Sequence, residues 1–466
     1  MCGTSRYSTL TGRLPSRSSY GRNIDKGLIE RSILADDETT SLFLRDVIIP
    51  KTKLEDVMGV EDPNDCTSNN IAAVLQQHGY STGVVGKWHL DANTLSGEGL
   101  YENYPQVQED IRRCGFDFAE AIYRENLGGS MNVNVDGDPV THNMEHVTAE
   151  AIRFIQQAVN GANQSENNNE NGNNDTSNPF FLYFNPTVPH SSGDVTDALL
   201  QANCKDTVQG RLSEAPFVPY GMTATMDAGE NASCRKYRKT VLERASAAAA
   251  AIGDSGKPVD DDKLAGAVWV DDAIGSLFET LEALNILNNT FVLFQLDHGM
   301  DAKGSLFEGG SRIVQFVHYP DRIKVGGSEE PTQQQQQQGW KFEGLVSTID
   351  VAPTLMSLAG IPLTPPITEG ADDGNGSIDE KHRYDMDGKS WFSDVVAANI
   401  GEDKESNSFQ QQEQQQNYSR KINKNYFEER CVFVEEGLDR SVRCGCYKYI
   451  YISDLTKGFT VRAASE

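Results

Sequence analysis

A cysteine stands at position 2, followed by Ser5 and Arg6, and Gly12-Arg13 closes the short helical run that these residues open. A thiol at a helix N-terminus has a depressed pKa and raised reactivity, which suits it to nucleophilic work. Four more groups of reactive residues border apolar runs: Gly86-Lys87-Trp88-His89-Leu90, Asn185-Pro186-Thr187-Val188-Pro189-His190, Asp297-His298-Gly299, and residues 303–312 with Lys303, Glu308 and Arg312. Taken singly, each is ordinary: a lysine after a glycine is solvated, a single histidine is structural, and Asp-His-Gly makes a turn. Taken together they set cationic and metal-binding groups at the ends of several strands. Open α/β sheets bind ligands beyond the carboxyl ends of their strands, so the convergence marks a site.

The elements that must carry these groups are legible from pattern. Residues 68–78 read as a helix leading into a glycine-bounded apolar strand, Gly79-Tyr80-Ser81-Thr82-Gly83-Val84-Val85-Gly86. Residues 180–184 and 290–296 are continuous apolar runs, suited to strands buried on both faces, and residues 313–317 form another. Helices are expected over residues 263–286 and 347–359. Helices alternating with such runs predict an α/β fold with a mostly parallel, mixed central sheet flanked by helices. Residues 431–434 and 447–452 alternate as in a small antiparallel sheet, which predicts a C-terminal subdomain. The boundaries expected are 1–384 for the α/β catalytic domain and 385–466 for the smaller α+β part. Three polar inserts interrupt the pattern, the Asn-rich residues 160–178 and the Gln-rich stretches within 328–339 and 405–420. They bury too little apolar surface to offset ordering entropy and read as surface loops.

With 466 residues the chain is long enough for a large core, and its 38% hydrophobic and 23% charged content is that of a globular protein diluted by polar inserts. A net charge of -27 disfavours nucleic acid as a partner. No run of about 18 apolar residues spans a membrane. Eight cysteines are too few for a disulfide scaffold at this length, and Cys444-Gly445-Cys446 is able either to pair with neighbours or to bind metal.

The segment Cys2-Gly3-Thr4-Ser5-Arg6-Tyr7-Ser8-Thr9-Leu10-Thr11-Gly12-Arg13 resembles the signature of the sulfatase family, with Thr4 where proline is usual. Residues 79–90 are similar to the family's second signature. Asp297-His298-Gly299 resembles its metal-binding strand end, residues 303–312 its Lys-x-x-x-x-Glu-Gly-Gly-x-Arg element, and residues 349–355 a family helix. The resemblance implies an alkaline-phosphatase-like α/β fold and hydrolysis of an aryl or carbohydrate sulfate ester. It implies that Cys2 is oxidised to formylglycine by a formylglycine-generating enzyme, and that one Ca2+ is bound by residue 2, Asp297 and His298. Arg6 would stabilise the gem-diol, and Lys87 and Lys303 would hold sulfate oxygens. His89 would act as base in expelling sulfate, and His190 would contact the sulfate or the leaving group. Substrates would be sulfated small molecules or glycans, met in the secretory pathway, in lysosomes or outside the cell.

Relatives place an apolar strand ending in Asp-Asp before the nucleophile, and here only Met1 precedes Cys2, which predicts a sequence truncated at its N-terminus. Asp36-Asp37 follows the nucleophile and reads as an acidic loop. Two alternatives remain at this level. One is a catalytically incomplete relative, from truncation or as a sulfated-glycan binder; the other is a phosphoester or phosphonate hydrolase of the same superfamily.

Overall fold

The computed structural model describes residues 2–15, 70–90, 104–124, 127, 140–165, 178–190, 195–201, 204–214, 218–223, 233–253, 261–299, 305–323, 342, 344–362, 386–392, 430–436, 439–445, 447–454 and 458–465. Lys303, Asp36-Asp37 and both Gln-rich stretches lie outside these residues, as does most of the Asn-rich one. The chain forms two compact units, one of Met1–Val57, Asn69–Ile71 and Asn288–Glu466, the other of Met58–Ser68 and Ala72–Leu287.

The helices, in chain order, are α1 (Cys2–Thr11), α2 (Ile71–Gln77), α3 (Tyr104–Arg113), α4 (Met144–Ser165) and α5 (Val195–Leu200). They continue with α6 (Tyr220–Thr223), α7 (Cys234–Gly253), α8 (Asp261–Ala283), α9 (Glu308–Ser311) and α10 (Val351–Leu358). The strands are β1 (Ser81–Lys87), β2 (Phe118–Tyr123), β3 (Phe180–Asn185), β4 (Asp206–Thr207), β5 (Gly210–Arg211) and β6 (Val292–Gln295). They end with β7 (Gln315–His318), β8 (Cys431–Glu436), β9 (Asp439–Cys444), β10 (Tyr447–Asp454) and β11 (Gly458–Ser465).

In the second unit β1 is the middle strand of a parallel sheet ordered β2-β1-β3. Its Val84 and Val85 are fully buried. Helix α4 lies on this sheet through a stripe of buried Val147, Ala151, Phe154, Ile155 and Ala158, the spacing of one helix face. Phe154 packs over Gly83, where a Cβ would come within 2.7 Å of its ring, and its ring centroid stands 5.4 Å from that of Phe118. Helices α4 and α7 are joined by a fully buried pair, Arg238 Nε to Glu145 Oε1 at 2.9 Å and Nη2 to Oε2 at 3.0 Å. Arg238 also donates to the Ala198 carbonyl at 2.8 Å and lies 5.3 Å from the Trp269 ring of α8, so the buried charge is satisfied on each side.

The first unit holds α1, the pair β6–β7 and the C-terminal sheet ordered β11-β10-β9-β8, antiparallel throughout. Around Trp391 pack Phe291, Leu293, Val317, Ile323, Phe342 and Val346.

The fold class expected from the pattern is the one observed, and four details differ. Residues 313–317 and 290–296 are not parallel neighbours: β6 and β7 pair antiparallel, Val292 opposite His318. A parallel return is usually made through a crossover helix packed on the sheet, and between these strands only the four-residue α9 is helical among the described residues. Strands β3 and β6 are only half-buried and not enclosed on both faces. Cysteine pairing is also richer than the sequence suggested. Cys204 bonds Cys234, Cys431 bonds Cys444 across the β8–β9 register, and Cys114 is disulfide-bonded too. Helix α4 runs through Ser165, into the start of the stretch read as an insert.

Candidate active site

Cys2 begins α1 and is 3% exposed, and Arg6, one helical turn later on the same face, is 6% exposed. The helix is closed by Gly12, whose φ of 67° requires glycine and whose N–H returns to the Ser8 carbonyl at 2.9 Å. It is tied to the end of β6 by Gln295 Nε2, which donates to Thr9 Oγ1 at 2.8 Å. Beyond Gln295 the chain turns through Asp297 and His298, and these reach back to the start of α1.

Cys2 Sγ lies 3.2 Å from His298 Nε2. The other ring nitrogen, Nδ1, lies 2.9 Å from the Gly299 carbonyl, which only accepts, so Nδ1 carries the proton. In the neutral ring Nε2 then accepts from the thiol. Asp297 completes the group, Oδ1 being 3.5 Å from His298 Nε2 and Oδ2 3.9 Å from Arg6 Nη2. Burial alone would lower the His298 pKa, but its bond to Cys2, the Asp297 carboxylate and the Gly299 carbonyl together raise it above the ordinary value.

The turn is seated from behind. Gly299 N–H donates to the Gly310 carbonyl at 2.9 Å, and a Cβ on Gly299 would come within 2.1 Å of the Gly309 carbonyl oxygen. Gly309 and Gly310 belong to α9, the short helix of the residue 303–312 element.

In the second unit the expected groups sit at the carboxyl ends of β1 and β3. Lys87 ends β1 and is 4% exposed. Gly86 before it has φ 92°, and a Cβ there would lie 2.0 Å from the Asn185 carbonyl oxygen of β3. His89 has φ 51° and donates its backbone N–H to the Arg124 carbonyl at 2.9 Å, after Trp88 has done the same to Tyr123 at 2.7 Å. The β1–β2 pairing thus continues past the strand and fixes where Lys87 and His89 leave it. His190 follows β3 after the cis Val188-Pro189 bond. His142, which the sequence reading passed over, is buried and its Nδ1 lies 2.8 Å from Thr187 Oγ1, bracing the segment before His190.

The structure therefore brings Cys2, Arg6, Asp297 and His298 together in one unit and sets Lys87, His89 and His190 at strand ends of the other. Sulfur, nitrogen and oxygen donors of Cys2, His298 and Asp297 all lie within 4.8 Å of one another. Calcium takes about 6–8 oxygen ligands. A thiol and an imidazole are not among them, so the set with an intact Cys2 suits a cation that accepts sulfur and nitrogen. Hydroxyls on residue 2 would move it toward oxygen. A second cluster, Glu145 with Cys204 and Cys234, offers no such site, since the two sulfurs are bonded to each other.

A family profile described as Sulfatase matches residues 1–361, and the chain belongs to the sulfatase family. It is similar to an ulvan-active sulfatase of Formosa agariphila, 23% identical over 72% of this chain and 52% of that protein. It is also similar to arylsulfatase G of Rattus norvegicus, 24% identical over 78% of this chain and 57% of that one. The chain thus spans about half the length of these relatives. A solved structure in complex with D-glucosamine-2-N,6-O-disulfate aligns over 100% of this chain and 81% of its own, with a TM-score of 0.45 at 15% identity.

Proposed function

We propose that this protein hydrolyses sulfate esters of aryl or carbohydrate compounds, using residue 2 as formylglycine. The observation that carries the reading is the pairing of Cys2 with His298 beside Asp297, with Arg6 one helical turn away. A hydrated aldehyde at residue 2 supplies two geminal hydroxyls, one to attack sulfur and one to expel sulfate afterwards. Asp297 and His298 would hold a divalent cation next to it, calcium by family likeness; the closeness of their donor atoms to residue 2 supports a cation there, and the Asp297 carboxylate with the hydroxyls of the hydrated aldehyde would supply the oxygen that calcium prefers. Arg6, buried and positive, would steady the gem-diol. Lys87 and Lys303 would hold the sulfate oxygens and offset charge on the departing alcohol. His89 would take the proton whose loss releases sulfate, and His190 would bind the sulfate or the leaving group. Pre-placed charge of this kind at a dry site gives the largest catalytic term in most enzymes.

The names of the relatives, an ulvan-active sulfatase and an arylsulfatase, support both substrate classes. The disulfides Cys204–Cys234 and Cys431–Cys444 support an oxidising setting, hence the secretory pathway, lysosome or cell exterior, where a formylglycine-generating enzyme would act on Cys2. Among the described residues no helix is long and apolar enough to cross a membrane. We assign the catalytic part to residues 1–384 and the smaller subdomain to 385–466.

The test is release of inorganic sulfate from p-nitrophenyl sulfate and from a panel of sulfated oligosaccharides. Asp297→Asn and His298→Ala should each cut turnover at least about a hundredfold. Sulfate release undiminished in both variants would refute the assignment.

A further inference from the structure

The C-terminal sheet lies beyond the residues that the family profile matches, yet two of its side chains grip the helix on which Asp297 and His298 are seated. Lys448 of β10 donates Nζ to Glu308 Oε1 at 2.9 Å and to Ser311 Oγ at 2.7 Å, the first and last residues of α9. Arg443 of β9, opposite Lys448 in the strand register, places Nη1 3.1 Å from Glu308 Oε2. Lys448 is 5% exposed, and the strand alternation puts Ser441 and Ile450, also buried, on the same face. A lysine held that deep is costly unless fully paired, so this is a built contact and not a chance surface pair. From α9 the contact passes to the site through Gly310, whose carbonyl receives the Gly299 N–H, and through Gly309, against which Gly299 lies flush. Gly299 in turn offers its carbonyl to His298 Nδ1, and that bond orients the ring toward Cys2.

We infer that Lys448, with Arg443, is a positioning residue of the site: it holds α9 through Glu308 and Ser311, and so fixes the turn that carries Asp297 and His298. The inference rests on the reading of that turn as part of the active site. A charge-assisted contact of this kind, once removed, should free the turn without unfolding the sheet.

The test is hydrogen exchange at the Gly299 amide in the full chain, together with kcat and KM for p-nitrophenyl sulfate. In Lys448→Met the Gly299 amide should exchange about tenfold faster, and kcat should fall about tenfold with KM within about twofold of the unaltered chain. Lys448→Arg should restore both. Glu308→Gln, milder and isosteric, should give a smaller change in the same sense and serves if Lys448→Met folds poorly. Arg430→Met breaks another part-buried pair of this unit, with Asp350 at 2.6 Å, and should lower Tm while leaving Gly299 exchange unchanged. Unchanged Gly299 exchange in both Lys448→Met and Glu308→Gln, or equal acceleration in Arg430→Met, would overturn the inference. A normal kcat despite faster exchange would overturn it as well. The exchange arm needs no turnover, so a chain that releases no sulfate but shows the Lys448 effect retracts the hydrolysis and keeps the positioning.

Discussion

His298 is the residue on which the site turns, because its two ring nitrogens are committed in opposite directions. Nδ1 is held by the Gly299 carbonyl, so Nε2 is left to face Cys2 and Asp297. Its pKa is raised above the ordinary value, against the effect of burial. A raised folded value means that the folded state binds the proton more tightly than the unfolded chain. The stabilisation is therefore fully present below about pH 6.5, the unfolded value, and is lost as pH rises through the folded one. With chelator present, Tm of the chain with Cys2 unoxidised should fall across that window, and His298→Asn should flatten the fall; an unchanged slope would remove the raised pKa from the account. Cys2, Asp297 and His298 were legible in the sequence as reactive groups bordering patterned segments, and their grouping into one site came from the resemblance to the sulfatase signature. The bond from Gln295 to Thr9 and the grip of Lys448 on Glu308 were not legible. Their partners lie 286 and 140 residues apart, and glutamine, threonine and lysine carry no local signal of such a role.

At the scale of elements, the end of β1 shows how backbone geometry places chemistry. Gly86 combines a left-handed φ of 92° with a carbonyl 2.0 Å from where its Cβ would stand. Gly86→Ala should cost about 3 kcal/mol or more, from strain and from separation of β1 and β3, read as a shift in the urea midpoint. Gly79→Ala has a comparable φ of 84° but open space around it, so its cost should be smaller, about 1–2 kcal/mol. Equal costs would mean that close approach to Asn185 does not matter. The glycines bounding this strand were visible as punctuation, but which one touches a neighbouring backbone depends on the register Gly86 opposite Asn185. The same limit applies to β6 and β7. Their apolar content identified them as strands, and their antiparallel pairing depended on the path between them.

At the scale of the whole molecule, an acidic chain of net charge -27 must tolerate the pH of the compartment it works in. The buried His146 sets one bound. Burial lowers its pKa to about 4, and the Arg153 charge adds to this, against the Gln209 side chain, which favours the protonated ring. A depressed folded value reverses the sign found for His298: the unfolded chain takes up a proton that the folded one refuses. Stability from this group is present above about pH 6.5 and is lost progressively as pH falls to about 4, by about 3 kcal/mol in all. His146→Gln should remove this part of the acid limb of a Tm-against-pH curve. An unaltered acid limb in that variant would show that other groups govern it. No periodicity announces such a residue, since a histidine on an apolar helix face reads the same whether it is charged or not.

The central claim is that residue 2 performs the chemistry as formylglycine, and it is tested by counting. Preparations with different degrees of oxidation should be assayed for sulfate release, while the mass of the peptide containing residue 2 gives the formylglycine fraction in each. Turnover should rise in direct proportion to that fraction, extrapolate to zero for intact Cys2, and vanish in Cys2→Ala. Sulfate release that ignores the fraction, or persists in Cys2→Ala, would contradict the account.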